Sequence, residues 1–149
     1  VRTPIETIVK KLLGLISLGT YEKAVRDSHY DNMFHLALFI NGKYTLDKQE
    51  TLKLNSGNPI KKNSETITVN LGDKSITFNQ LLDETRKFMG DDKFSNYDAV
   101  KNNCQDFVIS TLESNGLLTN EIKAFVKQDA EKVFSKLPSF TEKLAHTLT

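Results

Sequence analysis

Apolar positions divide the chain into three blocks with different periods. From Arg2 to about Leu18, Ile5, Ile8, Val9, Leu12, Leu13, Leu15 and Ile16 recur at helical spacing. Thr3 suits an N-cap, Pro4 a first helical turn, and Gly19 stands where a C-cap glycine belongs. The pattern predicts an N-terminal helix packed on the core, although Lys10 and Lys11 also suit a membrane surface. From Met33 to Ile76 the signals are those of strands. Phe34 to Ile40 is a short apolar run, and Asn41-Gly42 after it tolerates the positive φ of a tight hairpin turn. Lys43 to Leu54 is predicted to return as a second strand, and Asn55 to Pro59 to form a loop. Glu65 to Leu71 alternates and is rich in β-branched residues, which predicts another strand. Gly72-Asp73 then turns the chain into a short strand ending near Ile76. These pieces make an antiparallel meander.

The last block returns to helical spacing. Thr77 and Gln80 have capping-box spacing ahead of Leu81, Leu82, Thr85, Phe88 and Met89, and Gly90 ends that helix. Asp91 to Val100 reads as a connector carrying Phe94 and Tyr97. Phe107, Val108, Thr111 and Leu112 mark one face of a helix that starts at Cys104 and stops at Asn115-Gly116. Further helical patterns run from Asn120 to Phe134 and from Ser139 to Leu148, split by Pro138. The fold class is α+β: a meander packed against the cysteine-bearing helix. A single domain is expected over 1–149, with its core over about 30–116 and helical extensions at 1–20 and 117–149.

Composition narrows the function classes. With 20 basic and 19 acidic residues the net charge is +1, so no broad electrostatic case for nucleic acid arises. One cysteine excludes an internal disulfide framework and a cysteine-rich zinc site, and it suits a reducing compartment such as the cytoplasm. No apolar run approaches the roughly 20 residues of a membrane-spanning helix. No phosphate-binding glycine loop, metal motif or cofactor motif is present. The first residue is Val1 rather than Met, which fits a piece of a longer polypeptide.

The chemistry converges on Cys104. A thiol at a helix start meets the positive end of the macrodipole and unpaired N–H groups, which favours a nucleophile. Of the three histidines, His29 and His146 read as solvated, whereas His35 opens the apolar strand before the hairpin. A strand-borne imidazole facing a helix-borne thiol is the arrangement of a Cys–His pair. The competing reading is a cysteine that serves only as a small core residue.

Phe34-His35-Leu36-Ala37-Leu38-Phe39-Ile40-Asn41-Gly42-Lys43-Tyr44, followed much later by Asn103-Cys104-Gln105-Asp106-Phe107-Val108, resembles the lecithin:retinol acyltransferase-like group. That group comprises circularly permuted relatives of papain-like cysteine hydrolases, in which the histidine strand precedes the cysteine helix. Asn103, Cys104, Phe107 and Val108 match its box; Gln105 and Asp106 depart from the middle of it. The resemblance spans roughly residues 30–116. It implies a permuted papain-like fold and acyl transfer or hydrolysis through a thioester, on lipid acyl esters or, in relatives, on amides and peptides. The third catalytic residue of the group is often a second histidine twelve positions after the first; that position is Asp47 here, a carboxylate suited to accept the imidazole N–H, with Glu50 the competitor if the hairpin register slips. Oxyanion stabilisation is implied for the backbone N–H of Cys104, with the Gln105 side chain a further candidate. Tyr30 and Tyr44 are candidates to line the cleft.

Two alternatives stay open: a papain-like peptidase or amidase, and a non-catalytic interaction module. The amphipathic block from Leu117 to Leu148, with Phe125, Phe134 and Phe140 among many lysines, suits core packing or a lipid surface. Lysine and asparagine content fits a module of a viral or microbial polyprotein, or a virion component.

Overall fold

The computed structural model of the chain describes residues 1–4, 34–98 and 101–128. Its elements are the strands β1 (Arg2–Pro4), β2 (Phe34–Ile40), β3 (Tyr44–Lys48) and β4 (Leu52–Ser56), then the helices α1 (Phe78–Met89), α2 (Asp91–Ser95), α3 (Cys104–Ser114) and α4 (Asn120–Val126). The strands form one antiparallel sheet in the order β1-β2-β3-β4. The α+β class and the antiparallel sheet are as expected. The expected helices from Ile5 to Leu18 and from Ser139 to Leu148 lie outside the described residues, as do His29, Tyr30 and His146.

Five expectations about local structure are corrected. Two are small: no strand ends near Ile76, and the connector that starts at Asp91 holds the short helix α2. The other three are larger. Thr3 and Pro4 do not open a helix; they belong to strand β1, where Arg2 pairs with Leu36 and Thr3 with His35. Pro4 is tolerated there because β1 is an edge strand and a missing N–H costs no ladder bond on the open side. The Arg2 guanidinium holds β1 in place. It lies 4.7 Å from the Phe34 ring and 4.4 Å from the Phe125 ring, and donates to the Phe125 carbonyl at 3.0 Å. Second, Lys43 to Leu54 is not one strand. It breaks at residues 49–51 into β3 and β4, which pair with each other from Tyr44↔Ser56 to Lys48↔Leu52. Third, Glu65 to Leu71 makes no strand: Glu65 forms an isolated bridge to Arg2, and the rest is irregular. Ile67 and Val69 still pack against the core. Alternation reported which side chains turn inward, but a ladder also needs a neighbouring strand in register.

The hairpin turn is built as its residues require. Asn41 and Gly42 both have positive φ, 53° and 62°, and the Lys43 N–H closes the turn on the Ile40 carbonyl at 3.0 Å. Ile40 then pairs with Tyr44, so Lys43 is an extra residue in the loop and fixes the register of β2 on β3.

Both long helices begin with capping boxes. Thr77 and Gln80 cap α1 reciprocally. At α3 the cap is Asn103, whose side chain accepts the N–H groups of Gln105 and Asp106 at 2.9 and 3.3 Å. Asp106 reciprocates by accepting the Asn103 N–H at 3.1 Å. Helix α3 packs on β2, β3 and α1. Leu36, Cys104, Val108, Leu112, Leu117, Ile122 and Val126 form one buried cluster. Leu117, Ile122 and Val126 therefore share a core with the residues of β2 and α3, although their segment was expected as an extension.

Candidate active site

His35 stands second in β2. Ala37, two residues on, pairs with Asp47 of β3. In an antiparallel pair the diagonal neighbour on the same face is within reach of long side chains. The His35 Nε2 accordingly meets Asp47 Oδ2 at 2.8 Å, with Asp47 only 7% exposed. Gln49 donates to the same carboxylate oxygen at 3.2 Å, and Lys53 donates to Gln49 Oε1 at 2.6 Å. Two residues of the β3–β4 hairpin that sequence reasoning missed thus back the Asp47 carboxylate. Glu50 lies exposed in the turn between these strands, and the carboxylate on the ring belongs to Asp47. The alternative in which Glu50 partners the histidine is corrected by the hairpin register: the extra turn residue Lys43 sets Ala37 against Asp47.

Nε2 is committed to Asp47, so Nδ1 is the ring nitrogen left for another partner. It is buried and makes no hydrogen bond among the described residues. Cys104 is the other group that acts on the ring. Burial alone would push the His35 proton affinity down. The Asp47 hydrogen bond, the nearby Cys104 sulfur and the Asp47 charge outweigh it and raise the pKa to about 10. At neutral pH the imidazole therefore holds its proton.

Cys104 is the first residue of α3, 5% exposed, and the chain's one cysteine. The Asn103 side chain takes the next two N–H groups, leaving the N–H of Cys104 itself without an acceptor among the described residues. Gln105 is buried, and its side-chain oxygen accepts the Gln128 N–H at 2.7 Å. The Gln128 side chain in turn accepts the Phe34 N–H at 3.1 Å. This bridge ties the residue after Cys104 to the residue before His35. Asp106 closes the cap and accepts from Lys127 at 2.9 Å. The two departures from the resembling box therefore have packing and capping work of their own.

A buried lysine was also missed. Lys48 is fully buried and donates to the Lys93 carbonyl, which also accepts from Asn102 at 2.8 Å. Burial pushes its ammonium pKa down to about 8, against the opposing pull of Asp106. The signal was in the strand: Lys48 stands two residues after the buried Leu46, hence on the inward side. It pins the loop that leads into Cys104.

The chain also holds an apolar cavity of about 790 Å³, lined by neither His35, Asp47 nor Cys104. Leu36, next to His35, and Val108, one turn after Cys104, both line it, with Leu112, Ile122 and Val69 further in. Among the described residues no three His, Cys, Asp or Glu side chains converge as metal ligands would. Compared with known proteins, the chain matches no family model, no curated protein and no solved structure.

Proposed function

We propose that this chain is a cysteine-nucleophile acyl hydrolase or acyltransferase of permuted papain-like fold, acting on lipid acyl esters through a thioester. The observation that carries the reading is the half-buried ring of His35, bonded to Asp47 at 2.8 Å through Nε2 and left with a buried Nδ1 for the thiol of Cys104. Sγ and Nδ1 hold one proton between them, and a ring of this affinity keeps it, so sulfur is the attacking atom. The S–C bond forms at the ester carbonyl carbon, and the N–H of Cys104 is the donor available to the oxyanion. His35 then protonates the leaving alkoxide oxygen as the C–O bond breaks. Water, or an acceptor alcohol, gives its proton to His35 as it attacks the thioester, and sulfur departs.

The apolar cavity favours an acyl chain over a peptide. Its size is that of a small-molecule site, and most of the side chains that line it are apolar. Incubation with phospholipid should release lysophospholipid and fatty acid, and Cys104→Ser or His35→Ala should lower that release at least about 100-fold. Undiminished release by Cys104→Ser would contradict the proposal, as would a wild type that cleaves no acyl ester. Turnover of peptide thioesters alone would favour a peptidase.

A further inference from the structure

Five large apolar side chains are exposed among the described residues: Tyr44, Leu54, Ile60, Leu71 and Phe88. Exposed apolar residues scattered singly need no explanation, but a cluster does. Four of these five, all but Phe88, line the apolar cavity and so stand at its mouth. Tyr44 and Leu54 share one sheet face, since Tyr44 pairs with Ser56 and Leu46 with Leu54. Ile60 and Leu71 come from the long segment between β4 and α1 that closes the other side.

Lysines outnumber carboxylates around this mouth. Lys43 is exposed in the hairpin turn with its ammonium 5.2 Å from the centre of the Tyr44 ring. Lys61 and Lys62 are exposed immediately after Ile60. Two acidic residues occur between residues 57 and 77. Glu65 is held by Arg2, and Asp73 is exposed beyond Gly72, the Lys74 ammonium being bonded to the Asn115 and Gly116 carbonyls. An apolar rim with lysines at its border matches an anionic bilayer, whose headgroups meet the lysines while its hydrocarbon meets the rim.

We infer that the protein docks on anionic phospholipid bilayers through the rim formed by Tyr44, Leu54, Ile60 and Leu71, with Lys43, Lys61 and Lys62 on the headgroups. A lipid drawn from that surface would enter the cavity acyl chain first. The surface deepens the acyl-ester reading by stating where the substrate lies. Binding is measured on Cys104→Ser protein, so that docking and catalysis fail separately.

The chain has no tryptophan, which makes a single introduced indole a clean reporter. In the Cys104→Ser background, Tyr44→Trp should shift its emission to the blue on addition of vesicles containing phosphatidylserine. Phe88→Trp, exposed on α1 away from the cavity, should not shift. Vesicles of phosphatidylcholine alone should bind at least about tenfold more weakly, and the double change Lys61→Glu, Lys62→Glu should cost a similar factor. Leu54→Asn with Ile60→Asn should also lower binding; these side chains are half-exposed, and circular dichroism checks that the fold persists. Equal shifts at positions 44 and 88, unchanged binding after either double substitution, equal affinity for neutral vesicles, or no binding to anionic vesicles would each overturn the inference.

Discussion

Asp47→Ala is expected to lower acyl turnover by about 10²–10⁴-fold, the range associated with a positioned acid–base group. Asp47 does two things for His35. It fixes the ring through the 2.8 Å bond to Nε2, and its charge supports the imidazolium. Alanine removes both and leaves a cationic ring with half its support gone. Asp47→Asn keeps an acceptor of similar shape and loses only the charge, so it should fall between wild type and alanine. The two variants thereby separate orientation from electrostatics. In both, the upper end of the His35 titration should move down from about 10. Glu50→Ala, by contrast, removes an exposed turn carboxylate and should leave turnover within twofold. Steady-state rates for the four proteins, with pH profiles, check the set. Equal loss in the Asp47 and Glu50 variants would contradict the assignment.

Phe107→Ala should destabilise the fold by about 3–5 kcal/mol. Phe107 is fully buried three residues after Cys104, and its ring lies 6.4 Å from that of Phe94 in a tilted pair. The contact joins the start of α3 to the α2 segment, so a cavity there loosens the seat of the cysteine as well as the core. Total stabilities of about 5–15 kcal/mol are usual for domains, so this variant would lose a large part of its margin. The urea midpoint should fall with little change in slope. A loss under about 1 kcal/mol would mean that the site collapses around the smaller residue and that Phe107 does not hold the helix start.

Much of the site was legible because it is written in local signals. Asn41-Gly42 announced a hairpin, and the apolar face of Phe107, Val108, Thr111 and Leu112 marked a helix starting at Cys104, although the Asn103–Asp106 capping box that begins it went unread. His35 stood out as a titratable residue in an apolar run. The choice between Asp47 and Glu50 was not local. It depended on whether Lys43 counted into the turn, and one residue of register decides which side chains share a face. Strand β1 was hidden for a related reason. Thr3-Pro4 is good helix-start chemistry, and what overrides it is pairing with residues 30 or more positions away, together with an arginine between two rings. The bridge from Gln105 through Gln128 to Phe34 was illegible altogether, because nothing in a carboxamide's own neighbourhood says which distant N–H it will accept. Lys48 was legible in principle, as a charged residue at an inward position of a strand.

The most direct measurement is the alkylation rate of Cys104 by iodoacetamide at pH 6. A free thiol titrating near 8.5 is about 0.3% thiolate there. If His35 holds the proton that it shares with Cys104, the folded protein should react at least about tenfold faster than free cysteine, despite the burial of the sulfur. His35→Ala should abolish that excess. A wild-type rate no faster than that of free cysteine, unchanged in His35→Ala, would contradict the Cys–His pair at its root.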